Sequence, residues 1–236
     1  NAHNKEIEVL DEKEASTNNN LKVSIDIKLQ QYLQEIFVGK SGSIVIMDAN
    51  NGEVLAAASF PEYDSNIFAR GISQEDWDKM KNDFNHPFTN KITNGLYPPG
   101  SVIKMGVALA FLEHGINENF SVNCTGSLPI GNRNFRCWKT TGHGHIGFRS
   151  SLEQSCDDFY YKGSLKLGIN KISQTLGKLG IGQQTGIDLN NEFSGINPNK
   201  EWKESKLKQP WYVGETVMTS IGQGNRITQP IQIARA

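Results

Sequence analysis

Residues 97–106 read Tyr97-Pro98-Pro99-Gly100-Ser101-Val102-Ile103-Lys104-Met105-Gly106. A rigid Pro-Pro-Gly turn delivers a serine, and a lysine follows one helical turn later. The chain is then almost wholly apolar through "MGVALAFL", up to Gly115. This pattern predicts a helix from Ser101 to about Glu113, ended by Gly115 at the position after the cap. A lysine at the start of an apolar helix is out of place unless it is used. Positions i and i+3 share a helix face, so the serine and the lysine are neighbours. A serine hydroxyl becomes a nucleophile when a base takes its proton, and a desolvated neutral lysine can be that base. Backbone N–H groups at the helix start can stabilise an oxyanion beside Ser101. Taken alone, S-x-x-K also describes a capping serine followed by a surface lysine.

Working outward, "GSIVIMDANNGEVLAAASF" (42–60) is an apolar run, an Asn-Asn-Gly turn and a second apolar run, which predicts a β-hairpin. "LKVSIDI" (21–27) alternates like a strand, and 28–37 has helical spacing. Ser73 followed by Asp76 predicts a capped short helix near 73–82. Residues 120–147 are rich in Gly, Asn and Thr and read as an irregular insertion outside the core. "RSSLEQSCDDFYYKGSLKLG" and "NKISQTLGKLG" read as two helices ended by glycines. Residues 180–216 read as turns, and a helix starts near 228. The polar stretch 1–20 reads as a flexible lead-in or the tail of a preceding domain, with one domain over 21–236.

The chain has 236 residues, 37% hydrophobic and 21% charged, which suits one sizeable globular domain. A net charge of −1 gives no electrostatic footprint for nucleic acid. No apolar run is long enough to cross a bilayer, and no stretch reads as a signal peptide.

The segment "TNGLYPPGSVIKMGVALAFLEHG" resembles the first active-site motif of penicillin-binding transpeptidases, a family known, with class A β-lactamases, for its S-x-x-K element. The resemblance extends in family order through "LKVSIDIKLQ", "GSIVIMDANNGEVLAAASFPEYDSN", "WKTTGHG", "SLEQSCDDFYY", "LGIGQQTGIDL" and "SIGQGNRITQPIQIARA". It covers nearly all of the chain after residue 20 and is most similar to the elongation-type penicillin-binding protein 2 group. It implies an α+β, serine β-lactamase-like fold, an antiparallel sheet flanked by helices. It also implies a D,D-transpeptidase that acylates Ser101 with peptidoglycan stem peptides, is captured by β-lactams, and needs no cofactor for catalysis. The family's second motif, normally S-x-N, falls on Ser155-Cys156-Asp157. Ser155 would relay a proton between Lys104 and the leaving amine. Asp157 puts a carboxylate where an amide is usual, as elongation-type members do. By analogy, Gly222, Gln223 and Gly224 in "SIGQG" lie near the substrate, though a plain tight turn explains them as well. The third motif, K-[ST]-G, does not occur after Ser155. The expectation is therefore an incomplete domain, inactive by itself. The resemblance further implies an N-terminal anchor in the inner membrane, a periplasmic catalytic domain, and MreC and RodA as partners. A docking module for those partners, with a weak site, is the alternative. A β-lactamase would need a water-activating residue for deacylation, and no such motif is seen.

Cys124, Cys137 and Cys156 are the only cysteines, and His143 lies between the second and third. Three cysteines and one histidine make a structural zinc set. The spacing lacks a C-x-x-C knuckle. The competing readings are a Cys124–Cys137 disulfide with Cys156 free, and three unlinked thiols.

Overall fold

A computed structural model describes residues 20–236. The lead-in 1–20 lies outside the described residues except for Asn20. Residues 21–26 do not form the expected strand. Asp26 instead caps a helix, its Oδ1 accepting from the N–H groups of Lys28 (2.9 Å) and Leu29 (3.1 Å). The result is α1, Ile27–Ile36. The extended lead-in still lies beside the hairpin, where the Asp26 N–H donates to the Leu55 carbonyl at 2.8 Å. Its alternating Leu21, Val23 and Ile25 are exposed, so they have no sheet face to bury.

The hairpin forms as expected. β1 (Gly42–Met47) pairs antiparallel with β2 (Val54–Phe60), with a register shift at Ile46/Met47. Leu33 of α1 packs on Ala56, Ala58 and Phe60 in a small core, and the Phe37 and Phe60 rings stack at 4.6 Å. Two short helices follow, α2 (Asn66–Arg70) and α3 (Gln74–Lys81). Ser73 caps α3 by accepting from the Asp76 N–H at 3.1 Å, as its sequence position predicts.

The main core is helical. A 3₁₀ turn, Gly100–Ile103, leads into α4 (Lys104–Glu113). Val107, Ala108, Ala110 and Phe111 of α4 are buried against α6 (Asp157–Leu167) and α7 (Ile169–Lys178). Gly163 of α6 makes the close crossing possible, because a Cβ there would stand 2.3 Å from Phe111. Phe111 in turn stacks on Tyr160 at 6.0 Å between centroids.

Two sequence expectations are corrected here. Residues 120–147 are not an irregular appendage. They form β3 (Ser121–Cys124), β4 (Ser127–Ile130), β5 (Arg133–Arg136) and β6 (Gly144–Gly147), paired β3–β6 and β4–β5, both antiparallel. Val122, Cys124, Phe135, Cys137 and Ile146 point into the main core. The Gly and Asn residues serve the turns between very short strands. Residues 180–216 also hold more than turns: α8 (Lys200–Leu207), capped by Asn199, and α9 (Val213–Ser220). α10 (Pro230–Arg235) starts with proline at its first position, where no N–H is needed. The architecture is α+β, with antiparallel strand pairs flanked by helices. No described helix is long and apolar enough to cross a membrane.

Candidate active site

The stretch "RSSLEQSCDDFYYKGSLKLG" is not one helix. It breaks into α5 (Phe148–Glu153) and α6, and the break places Ser155. The Ser155 N–H donates to the Leu152 carbonyl and the Cys156 N–H to the Ser151 carbonyl, at 3.2 and 3.0 Å. This is the Schellman arrangement, whose residue after the cap takes a left-handed conformation and is usually glycine. Ser155 has φ +47°. A side chain there costs about 1–2 kcal/mol, and the hydroxyl is what that cost maintains at the site.

Lys104 is 2% exposed and aims at this break. Its Nζ donates to the Ser155 carbonyl (2.9 Å), the Ser155 Oγ (3.1 Å) and the Asp157 Oδ1 (2.6 Å). Those are all three donors of an ammonium group. The Tyr160 ring lies 5.3 Å away, and burial pushes its hydroxyl up to about 12. Asp157 sits in the first turn of α6, where a carboxylate complements the helix dipole. Its Oδ2 accepts from the Trp138 backbone N–H at 2.9 Å. The Trp138 indole donates to the Gln154 and Ser155 carbonyls at 3.0 and 3.1 Å. One residue thus fixes both the carboxylate and the strained serine. In the sequence Trp138 stands out only as the first residue of "WKTTGHG", directly after Cys137.

Ser101 is exposed on the 3₁₀ turn and lines a cavity of about 780 Å³ with Ser155, Asp157, Trp138, Tyr161 and Gln223. Among the described residues no hydrogen bond joins Ser101 to Lys104, so the lysine is committed to the second motif. The structure therefore brings Ser101, Ser155, Asp157 and Gln223 to one cavity, with Lys104 buried behind it.

Gly222 meets Ser101 through the backbone. The Gly100 N–H donates to the Gly222 carbonyl at 3.0 Å, and Tyr97 exchanges two 2.9 Å backbone bonds with Thr228. Gly222 has φ +74°, and a Cβ there would lie 2.2 Å from the Gly100 oxygen. Arg226, fully buried and lowered to about 9 by that burial, braces the same turn through the Thr219 carbonyl and Asn197. Gly224 does not reach the Ser101 cavity and lines its neighbour instead. Gly222→Ala is expected to cost about 2–5 kcal/mol, the sum of left-handed strain and overpacking. Chemical denaturation checks this, and an unchanged midpoint would show that the turn is free to move.

The cysteines converge. The ligand atoms of Cys124, Cys137, His143 and Cys156 all lie within 4.8 Å of one another. The His143 Nδ1 stands 3.5 Å from the Cys124 sulfur and 3.6 Å from that of Cys137. A tetrahedral zinc with ordinary Zn–S and Zn–N bonds spaces sulfur and nitrogen by about 3.5 Å. The residues present therefore fit such an ion. All three thiols are free, so the Cys124–Cys137 disulfide is not formed. Burial pushes the Cys156 thiol well up and the His143 imidazole down. His145 takes no part in the cluster.

Residues 42–236 match the penicillin binding protein transpeptidase domain. The chain is 42% identical over 217 residues to the peptidoglycan D,D-transpeptidase MrdA of Escherichia coli K12, covering 91% of this chain and 34% of that protein. The chain thus spans about a third of the length of the curated relatives it matches first. Among solved structures it is similar to the complex between penicillin-binding protein 2 and MreC from Helicobacter pylori, with TM-score 0.89 and 45% identity, over 99% of this chain and 44% of that one. It is also similar to penicillin-binding protein 2 of Pseudomonas aeruginosa in complex with WCK 5153, with TM-score 0.85 and 36% identity, over 90% and 47%.

Proposed function

Because the chain belongs to the penicillin-binding protein transpeptidase family, we propose that it forms the catalytic part of a peptidoglycan D,D-transpeptidase of the elongation type. The observation that carries this is the shared cavity of Ser101 and Ser155, with Lys104 bonded to Ser155 behind it. Ser101 Oγ attacks the carbonyl between the two terminal D-alanines of a stem peptide. Lys104 holds three donated hydrogen bonds, so it can take the Ser101 proton only after passing one of its own to Asp157 or along Ser155. The new C–O bond forms, the C–N bond breaks, and the leaving D-alanine amine receives a proton through Ser155. An amine from a neighbouring stem then attacks the acyl-enzyme and returns Ser101 to its hydroxyl. A β-lactam offers the same kind of carbonyl and stops at the acyl stage.

Gln223, at the cavity wall, and Gly222, which sets the Ser101 turn, serve substrate placement. Cys124, Cys137, His143 and Cys156 would hold a structural zinc. Four protein ligands leave no open position for chemistry, so the ion would tie β3–β6 to the second motif. By family resemblance the domain would lie on the periplasmic side of the inner membrane, with MreC and RodA as partners. The similarity to a complex with MreC is what supports the first of these.

Intact mass and peptide mapping of the full-length protein after benzylpenicillin treatment test the reading. One adduct on Ser101 is expected. A folded protein with no adduct would overturn it and leave the docking role as the better account.

A further inference from the structure

A strand runs along the Ser101 cavity. Six consecutive residues, Arg133 through Trp138, line it. Among the described residues β5 pairs only with β4, so its other edge faces the cavity. The Cys137 N–H donates to the Gly126 carbonyl at 2.9 Å. Antiparallel pairing alternates. Arg133 and Phe135 therefore turn their N–H and C=O groups to β4, and Asn134 and Arg136 turn theirs to the cavity. Pro129, opposite Asn134, has no N–H to give, which fits the same alternation.

Two of the outward groups near this edge are already used. The Tyr161 hydroxyl donates to the Arg136 carbonyl at 3.1 Å, and the Trp138 N–H serves Asp157. The N–H and C=O of Asn134 and the N–H of Arg136 have no protein partner among the described residues. Such an edge takes an extended chain as an added strand. The local charge selects the kind of chain. Arg133 and Arg136 form no ion pair among the described residues, whereas Lys104 and Asp157 offset each other.

We propose that the free edge of β5 binds an extended acidic peptide as a third strand, through the backbone of Asn134 and Arg136, with Arg133 and Arg136 supplying positive charge beside it. This rests on the transpeptidase reading, under which the peptide is the stem whose carbonyl Ser101 attacks. The edge then sets the reach of that stem across the cavity.

The test uses the full-length protein, a synthetic stem-type peptide ending in D-Ala-D-Ala with free side-chain carboxylates, its amidated form, and benzylpenicillin. Asn134→Pro removes an N–H that β4 does not use. It is expected to raise KM for the acidic peptide about tenfold, the worth of a lost backbone bond. Its effect on benzylpenicillin acylation should be much smaller, because that ligand has no peptide to lay along the edge. The pair Arg133→Gln and Arg136→Gln is expected to raise KM for the acidic peptide by a similar factor and to remove its advantage over the amidated one. An unchanged KM in Asn134→Pro with acylation retained would overturn the edge. If Asn134→Pro fails to fold, an unchanged acidic-peptide KM in the arginine pair would overturn the proposal. Failure of the unaltered protein to acylate at all would instead sink the transpeptidase reading.

Discussion

Lys104→Met is expected to slow acylation of Ser101 by roughly a hundred- to ten-thousand-fold, the usual worth of a general base, and to cost about 3–5 kcal/mol of stability. The two losses have different origins. The activity loss follows from removing the group that receives the Ser101 proton. The stability loss follows from the Asp157 carboxylate, which keeps its Trp138 N–H but loses a 2.6 Å ionic partner in a site only 11% exposed. A second substitution separates them. Lys104→Met with Asp157→Asn removes the unpaired charge and should regain most of the stability while remaining inactive. Urea denaturation gives the first quantity and the time course of benzylpenicillin adduct mass gives the second. A Lys104→Met protein that acylates at near the normal rate would exclude Lys104 as the base. A double variant no more stable than the single one would show that the ion pair is not what holds α6 to α4.

The parts of this site legible in the sequence are those governed by local rules. Ser101 and Lys104 follow from a turn, a helix start and a spacing of three. The hairpin follows from Asn-Asn-Gly between apolar runs, and the α3 cap from Ser73. The break at Ser155 was not legible, and the reason is specific. α4, α7 and α9 end with the same bond pattern, and each has a glycine at the left-handed position: Gly115, Gly180 and Gly222. α5 ends identically, but with serine there. The usual stop signal was absent because the hydroxyl was needed, so local preference gave way at the functional residue. The four strands of 120–147 escaped notice for another reason. Strands of four residues show too little alternation to stand out from turn-rich composition. The β3–β6 pair also joins residues at least twenty apart in sequence, from Cys124↔Gly144 outward. For the same reason the part played by Trp138 depends on the fold, which sets Cys137 beside Cys156.

That adjacency makes loss of the proposed zinc the second large effect. Cys156 separates Ser155 from Asp157, and Cys137 immediately precedes Trp138, so two of the four candidate ligands are bonded directly to residues that shape the site. Loss of the ion would leave three sulfurs and an imidazole crowded in a buried space. Structural zinc contributes on the order of 10 kcal/mol to folding in small zinc peptides; here a main core remains, so a partial share of that is expected, concentrated in 121–157. The full-length protein should carry about one zinc per chain by elemental analysis. Cys137→Ser should lose it, melt well below the unaltered protein, and acylate slowly because Trp138 no longer holds Asp157 and the Ser155 carbonyl. The pH dependence has a definite sign. Ligation needs deprotonated thiols and a neutral imidazole. Acidification through the ordinary histidine range protonates the imidazole and so opposes ligation by His143. Zinc should therefore be retained at neutral pH and released on acidification, with acylation declining in parallel. A protein isolated without zinc that acylates normally, or a Cys137→Ser variant with unchanged melting and unchanged acylation, would show that the four side chains meet without a metal and that the second motif is held by Trp138 and Lys104 alone.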